Sequence, residues 1–384
     1  MLSTVREQGS VREQGRAGEV RTSVRAPAGS EPQDQDSDRP DGNQPAGVDV
    51  LLSGSVFLDL IFTGLPRRPE SGTEVWASGL GSSPGGIANL AVALRRLHLN
   101  TSLAAAFGED VYGDFCWQTL SDQEGVDLSL SQRFHGWHSP VTVSVSLDGD
   151  RSMITHGHPS LASADEMIGR PPATKACFAH LDQHCEQWVR QAREDGALMF
   201  ADVGWDPSEQ WAQETLRLLD GYDVFLPNAV EAMCYTRTDT PERAAELLAE
   251  RVPVAVVTRG SEGAVAVDSR TGEQADVPGL GVEALDPTGA GDVFGAGFLY
   301  GTLAGWPLAD RLRLANLCSA LSVRHFGGSL SAPGWCEIVQ WWREVDCDRE
   351  EFLRSYRFLD DVLRDHSCAT VHRARATIGL RDMP

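Results

Sequence analysis

Apolar and polar positions follow two different periods along the chain, and their order predicts how strands and helices alternate. A mainly apolar run at residues 48–62 suits a buried strand, with Asp59 near its end. The next apolar positions repeat at the spacing of one helix face, at Ile87, Leu90, Ala91, Leu94 and Leu97. The chain therefore begins its folded part as a strand that is followed by a helix.

The middle of the chain continues this alternation. Short apolar runs at residues 197–201, 222–226 and 254–258 are separated by amphipathic segments at residues 208–219 and 241–250. Such a rhythm is typical of βαβ units, whose strands are parallel. We therefore predict a three-layer α/β fold with a mostly parallel central sheet.

Two stretches depart from this rhythm. Residues 73–78 and 141–155 alternate polar and apolar side chains with period two beside Gly and Asp, as half-exposed strands do. We predict that they form a small β lid at the main sheet. A further helical segment is expected around residues 341–364, before a polar tail.

These patterns divide the chain into three parts. Residues 1–47 are rich in charged residues, Gln, Pro and Gly and contain no aromatic residue, so we expect a disordered arm. Residues 48–335 form the predicted catalytic domain. Residues 336–384 form a predicted helical extension and tail.

Composition narrows the classes of partner. Lys and Arg number 33 against 55 Asp and Glu, which gives a net charge of −22 and opposes binding to nucleic acid or an anionic membrane. The eight cysteines contain no C-x-x-C pair, which favours a reducing compartment over a disulfide framework. No apolar run approaches the roughly 20 residues of a spanning helix, and we expect a cytoplasmic protein without a signal peptide.

The strongest chemical signal is the segment Asp-Pro-Thr-Gly-Ala-Gly-Asp at residues 286–292, which precedes an apolar helix. Small residues at a helix start let backbone N–H groups converge, and the positive end of the helix dipole attracts a phosphoryl group. Asp292 then lies in the first turn, within reach of this anion hole. The alternative is an ordinary tight turn with an acidic residue at a helix start.

Other motifs accompany this segment in a fixed order, and together they resemble the ribokinase-like, or PfkB, family of carbohydrate kinases. The family's hallmark is a D-x-x-G-A-G-D box near the C-terminal end. The resemblance covers about residues 48–333 and rests on further matches at Gly85 to Asn89, residues 108–113, Asn228 to Glu231, and residues 257–263.

The resemblance implies a role for each matched residue. Asp292 would be the general base, and Gly289, Ala290 and Gly291 would form the anion hole. Acceptor contacts would come from Asp59, Gly85, Gly86 and Asn89. Nucleotide and metal contacts would come from Asn228, Glu231, Thr258, Gly260, Gly263 and Thr288.

The same resemblance implies the reaction partners. ATP would donate the phosphoryl group to a hydroxyl of a small sugar or sugar-like acceptor, and Mg²⁺ would be held near Glu231 through water. A potassium ion could bind near Asp286 and Thr288. The chain could also form a homodimer.

Two departures from the family leave the acceptor open. Phe57 stands two residues before Asp59, where many ribokinase-like members carry Asn, and no Arg follows residues 202–206 as in many fructokinases. A nucleoside kinase of the same superfamily and a non-catalytic protein that senses sugar or nucleotide are the alternatives. The intact Asp292 favours an enzyme.

The composition of the arm leads to the first testable prediction. Deleting residues 1–45 should leave the melting temperature and the turnover number nearly unchanged, because a polar arm without aromatic residues buries little apolar area. Thermal unfolding and steady-state kinetics of the two chains would check this. A marked loss of either quantity would show that the arm takes part in folding or catalysis.

Overall fold

The computed structural model describes residues 47–147, 150–181, 187–204, 206, 208–345 and 354–365, and the predicted arm lies almost wholly outside them. The strands are β1 (Val48–Ser53), β2 (Val56–Thr63), β3 (Gly79–Gly86), β4 (Thr101–Ala104), β5 (Ala106–Gly108), β6 (Gln132–Phe134), β7 (Val141–Leu147), β8 (Asp150–His156), β9 (Thr174–His180), β10 (Leu198–Asp202), β11 (Val224–Phe225), β12 (Val254–Thr258), β13 (Ala264–Asp268) and β14 (Glu273–Val277).

Helices pack around these strands. They are α1 (Ile87–Arg96), α2 (Val111–Gln118), α3 (Ala164–Ile168), α4 (Gln187–Glu194), α5 (Ala229–Thr236), α6 (Pro241–Leu248), α7 (Ala290–Leu303), α8 (Leu308–Ser322), α9 (Trp335–Glu344) and α10 (Leu359–Asp365). Shorter helical segments are a π-helical turn at Thr119–Gln123 and 3₁₀ turns at Gln213–Leu219, Gly260–Glu262 and Gly328–Ser331.

The main sheet has the order β14-β13-β12-β11-β10-β9-β1-β4. All neighbours from β12 to β4 pair in parallel, and only β13 and β14 are antiparallel additions. The predicted α/β fold with a mostly parallel sheet is therefore confirmed.

Alternating side chains produce the three layers. On β1, Val50 and Leu52 pack into a core with α1, α7 and α8, whereas Leu51 packs into a second cluster with α3 and α4. On β12, Val256 joins the first core and Val257 joins a cluster with α5 and α6. Successive residues of a strand point to opposite faces, so apolar residues at every position require helices on both sides.

A second sheet of order β3-β2-β7-β8 stands beside the main one. Strands β7 and β8 match the range predicted for lid strands at residues 141–155, although β8 ends one residue later, at His156. The strand predicted at residues 73–78 is wrong, because these residues form no strand and Trp76 is exposed. The lid strand is instead β3, whose Gly, Ser and Pro content lowers its strand propensity but lets it lie close to β2.

The run at residues 48–62 is also not one strand. It divides at Gly54 and Ser55 into β1 of the main sheet and β2 of the lid. The Ile87 amide, the first of helix α1, donates a hydrogen bond to Ser55 O (3.1 Å), so this carbonyl leaves the strand ladder. As a consequence, Asp59 lies in the middle of β2 rather than at the end of a strand.

The C-terminal residues add to the main core. The helical segment expected around residues 341–364 is two helices, α9 and α10, and residues 346–353 between them lie outside the described chain. Tyr356 and Leu359 are buried in the core that also contains Trp335 and Ile338. The predicted boundary at residues 335/336 thus falls in the first turn of α9. None of the described helices is long and apolar enough to cross a membrane.

A buried ion pair ties α1 to Glu124, which follows the π-helical turn. Arg96 bonds Glu124 through two nitrogen atoms (3.0 and 2.7 Å), and the two side chains are only 5% and 2% exposed. Arg96 also donates to the carbonyl oxygens of Leu330 and Ala332. Every charge-bearing group of this pair is therefore compensated away from water.

Removing one partner should expose the cost of burying the other. Arg96→Met should lower the free energy of unfolding by about 3–5 kcal/mol, because Glu124 would stay buried without its cation. As a control, Arg243→Met breaks an exposed ion pair with Glu246 and should cost at most about 1 kcal/mol. Urea denaturation measures both, and equally small losses would contradict a structural role for the buried pair.

Candidate active site

The start of α7 carries the segment that the sequence marks most strongly. Gly289 precedes the helix with a left-handed backbone (φ 75°), and Asp292 is the third residue of the helix. The first amide groups of a helix have no acceptor within it and carry its positive dipole end. Gly291 therefore presents its backbone N–H group beside the Asp292 carboxylate, whereas the Ala290 amide donates to Pro287 O (3.2 Å).

A hydrogen bond connects this helix start to that of α1. Asn89 Nδ2 donates to Asp292 Oδ2 at 2.9 Å. Gly289 is needed for this approach, since a β-carbon there would lie 2.9 Å from Asn89 Cγ. Gly86, which precedes α1, also has a left-handed backbone (φ 63°). The two glycine turns thus bring Asn89, a predicted acceptor ligand, next to Asp292, the predicted base.

Asp59 reaches the same region from the lid. It is buried, and a β-carbon at Gly85 on the paired strand would overlap its carboxylate. Gly85 therefore makes room for Asp59, and the chain continues from Gly85 through Gly86 into α1. The four residues predicted to contact the acceptor thus lie close together, where the lid meets the start of α1. Gly85 contributes by leaving space for the Asp59 carboxylate.

A cleft of about 290 Å³ opens on the other side of the α7 start. Thr258, Gly260 and Gly263 line it together with Ala290 and Gly291. Its remaining wall is largely apolar and includes Leu280, Val282 and Phe294. An apolar slot that ends at the start of a helix suits a planar base with a phosphate chain.

Thr288 differs from its predicted place, because it does not line this cleft. It is buried, and its amide donates to Asp286 Oδ1 at 3.0 Å. The other oxygen of Asp286 accepts from the amide of Gly327 (3.3 Å). Asp286 thus joins the α7 start to the loop after α8. Sequence reasoning missed this loop, although its Gly327-Gly328-Ser329 run could have indicated it.

Asn228 and Glu231 first serve the helix that they begin. The Glu231 amide donates to Asn228 Oδ1 (3.0 Å), and the Asn228 amide donates to Glu231 Oε2 (2.9 Å), which is a capping box at the start of α5. Burial raises the pKa of Glu231 above its ordinary value. Asn228 also pairs through a backbone bridge with Thr258, which lines the cleft.

Asp202 at the end of β10 is a further acidic residue of this region. Burial raises its pKa well above the ordinary value, and the charges of Glu231 and Asp292 act in the same direction. Its Oδ1 accepts from the Val203 amide at 2.7 Å. Sequence reasoning considered the segment at 202–206 but gave Asp202 no role, and Trp205 lies outside the described residues.

A divalent cation fits this set of oxygen ligands. Burial and the charges of Glu231 and Asp292 disfavour the ionised form of Asp202, and a nearby cation would offset this effect. No group of three or more His, Cys, Asp or Glu among the described residues is arranged to hold a metal alone. This suits Mg²⁺, which keeps several water ligands and shares phosphate oxygens instead of binding in a protein cage.

Comparison with known proteins decides the family. The model of the pfkB family carbohydrate kinases matches residues 50–335. The chain belongs to this family. It is therefore a kinase of the PfkB group, and the fold described above is the ribokinase-like fold.

Individual relatives agree with this assignment. An ATP-dependent ribose-1-phosphate kinase of Halopiger xanaduensis is 29% identical over 74% of this chain and 95% of its own length. The Arabidopsis thaliana ribokinase, solved with ribose and ATP, superposes with a TM-score of 0.64 at 23% identity, covering 77% of this chain and 98% of that one. An E. coli protein solved with ATP and Mg²⁺ gives 0.65 at 21% identity, with coverages of 77% and 99%.

The raised pKa of Asp202 predicts a stability change with a definite sign. Folding penalises its charged form, so the penalty is absent below the ordinary Asp pKa of about 4 and grows as the pH rises above it. Asp202→Asn should therefore stabilise the free protein at pH 8 but not at pH 4, while lowering activity. Urea denaturation at the two pH values measures this.

Asp206→Asn is the matched control four residues away. Hydrogen bonds from Ser208 and from the Trp211 amide lower the pKa of Asp206. Its charge therefore contributes stability above the ordinary Asp pKa, and the contribution is lost as the pH falls. This variant should be destabilised at pH 8. The assignment of Asp202 fails if Asp202→Asn loses stability there as well.

Proposed function

We propose that this protein transfers the γ-phosphoryl group of ATP to a hydroxyl of a small sugar-like acceptor, with Asp292 as the general base. The observation that carries the proposal is the position of Asp292. It lies in the first turn of α7, beside the Gly291 amide, and is oriented by Asn89. A base on this helix turn can accept the proton of the acceptor hydroxyl. An anion hole on the same turn can stabilise the negative charge of the transferring phosphoryl group.

The acceptor and the nucleotide approach this turn from opposite sides. Asp59 and Asn89 lie on the lid side, and the apolar cleft with Thr258 and Gly263 lies on the other. The acceptor oxygen forms a bond to the γ-phosphorus, while the bond from that phosphorus to the bridging oxygen of ATP breaks. The acceptor proton passes to Asp292, and ADP leaves with the electron pair.

Each residue contributes to a separate part of this step. The Gly291 amide stabilises negative charge on the transferring group. Glu231, with Asp202 beside it, would hold Mg²⁺ through water, and this ion would offset the negative charge of the phosphates. The lid formed by β3, β2, β7 and β8 would exclude water from the acceptor side and thereby limit ATP hydrolysis.

Charge and cysteine content bear on the partners and the location of the protein. A net charge of −22 argues against a nucleic-acid or anionic-membrane partner. An ATP-consuming kinase with free, buried thiols such as Cys177 and Cys318 suits the cytoplasm. Potassium near Asp286 and a homodimer stay predictions.

Asp292→Asn tests the assignment of the base. The amide keeps the size of the side chain and an oxygen that can accept from Asn89, but it cannot take up the acceptor proton. The turnover number should fall on the order of 10²- to 10⁴-fold, while the ATP affinity changes little. Asp59→Asn should instead raise the acceptor KM about ten- to a hundredfold, because it weakens a charged hydrogen bond to the acceptor.

Asp310→Asn is a matched control for the helix-start interpretation. Asp310 is also the third residue of its helix, α8, where it pairs with Arg313 on the partly exposed surface. This variant should keep its turnover number within about twofold. Steady-state kinetics with each substrate varied in turn compares the three variants. Near wild-type turnover of Asp292→Asn would mean that Asp292 is only a helix-start acid.

A further inference from the structure

A second cavity, of about 400 Å³, lies at the end of strand β1 and is lined by residues of α3. On this side of the main sheet, Leu51 of β1 packs with Ala164 of α3. Helices α1 and α7, which carry Asn89 and Asp292, pack on the other side, and none of the described residues that line the cavity belongs to the acceptor or nucleotide sites. This lid-root cavity is bounded by Ser53, Ser55, Val56, Trp137, His158 and Met167, among others.

Three of the segments that lead into or out of the lid line this cavity. Gly54 and Ser55 lie between β1 and β2, Pro140 directly precedes β7, and His158 follows the end of β8 by two residues. The carbonyl oxygen of Pro140 accepts from the Leu58 amide (2.8 Å), which ties the start of β7 to β2. A molecule in the lid-root cavity would therefore contact the base of the lid at several points.

The Ser53 hydroxyl is a buried polar group without a partner. Ser53 is 8% exposed, and its hydroxyl forms no hydrogen bond with any described residue. It lies two residues after Leu51 on β1, so its side chain points to the same face, toward α3 and the cavity. Buried hydroxyl groups without partners are rare in native proteins, and this one is available to a molecule in the cavity.

The other polar groups around the cavity are largely occupied. The Asp165 carboxylate accepts from the amides of Gln187 and Trp188, at 2.9 and 2.7 Å. The Ser160 hydroxyl donates to a carbonyl oxygen of its own loop (2.6 Å), and Ser163 belongs to the capping box of α3. The described lining residues whose polar side-chain atoms keep no hydrogen-bond partner are Ser53, Ser55 and His158.

The remaining walls are apolar and include an indole ring. Trp137 Nε1 donates to Pro159 O at 3.0 Å, which uses its only donor and fixes the ring. Val56, Pro140 and Met167 extend this apolar wall. Aromatic and thioether groups pack favourably against planar rings. An aliphatic chain would leave the Ser53 hydroxyl unpaired, and a polyol would exchange its water for apolar walls, whereas a planar ring with polar groups at its edge meets neither cost.

We propose that the lid-root cavity is a second ligand site, which binds a planar heteroaromatic compound of about the size of a nucleobase. The ring packs against Trp137 and Met167, and its polar edge exchanges hydrogen bonds with Ser53 and Ser55. The volume lies within the range of small-molecule sites, which is about 300–1,000 Å³. Because the ligand contacts the segments that flank β7 and β8, its binding favours the described position of the lid. The site is independent of the proposed phosphoryl transfer.

Calorimetry on the full chain tests binding with three probes, which are adenine, hypoxanthine and thymine. These bases have no alcohol group, so they cannot serve as acceptors in the proposed reaction. A saturating Mg²⁺ complex of a non-hydrolysable ATP analogue keeps them out of the nucleotide cleft. At least one base should bind once per chain, with a dissociation constant on the order of 0.1–1 mM for so small a molecule. If none of the three binds, the cavity holds only water and the inference is overturned.

Variants of the lining residues locate the bound base. Ser53→Ala should weaken binding about three- to tenfold, and Ala162→Trp, which fills the cavity from its partly exposed edge, should abolish it. Ser102→Ala is the matched control, because Ser102 is a fully buried serine on the neighbouring strand β4 whose hydroxyl also has no partner, yet it does not line the cavity. Melting temperatures show whether each variant is folded. Wild-type affinity in folded Ser53→Ala would contradict the site.

The acceptor site is excluded with Asp59→Asn, which should leave the affinity for the base unchanged. Loss of binding in this variant would place the base in the acceptor site and overturn the inference. Amide hydrogen exchange tests the contact with the lid, since the bound base should slow exchange in residues 141–147 and 150–156 at least about twofold. Unchanged exchange there would contradict the effect on the lid. Failure of the kinase proposal would instead appear as absent ADP release with every acceptor, while the base still binds.

Discussion

The hydrogen bond from Asn89 Nδ2 to Asp292 Oδ2 joins two helix starts that are 203 residues apart in the chain. It requires left-handed glycines before both helices, Gly86 at φ 63° and Gly289 at φ 75°, and no side chain at Gly289. The helices α1 and α7 pack in one core behind it. The position of the Asp292 carboxylate relative to Asn89 therefore depends on packing that involves both ends of the domain.

The site brings together acidic side chains that the fold does not need for its stability. Burial raises the pKa of Asp202 and of Glu231, and the charges of Glu231 and Asp292 raise the pKa of Asp202 further. Glu231 is partly compensated by the capping box with Asn228. Burying these carboxylates without a cation lowers the stability of the free protein, and a bound cation would offset this loss. Such destabilising groups are typical of functional sites.

Sequence reasoning succeeded where a local pattern determines a local structure. The α7 start, the α1 helix and strand β12 follow from glycine spacing and hydrophobic period, and the family match agrees with them. It failed where tertiary contacts override propensity. Strand β3 is poor in strand formers and is held by pairing with all of β2, and Asp286 meets Gly327 only through a contact between distant segments.

The lid shows why these tertiary contacts matter for function. A shift of β2 by one residue would turn Asp59 away and put Leu58 or Leu60 in its place, because successive residues face opposite sides. No tight hairpin sets the register, since β2 pairs in parallel with β7 and the long segment 64–78 separates it from β3. The Asp59 carboxylate seated over Gly85 fills this role, because any side chain at position 85 would collide with it. Asp59, the proposed acceptor ligand, thus also fixes the register of the lid sheet.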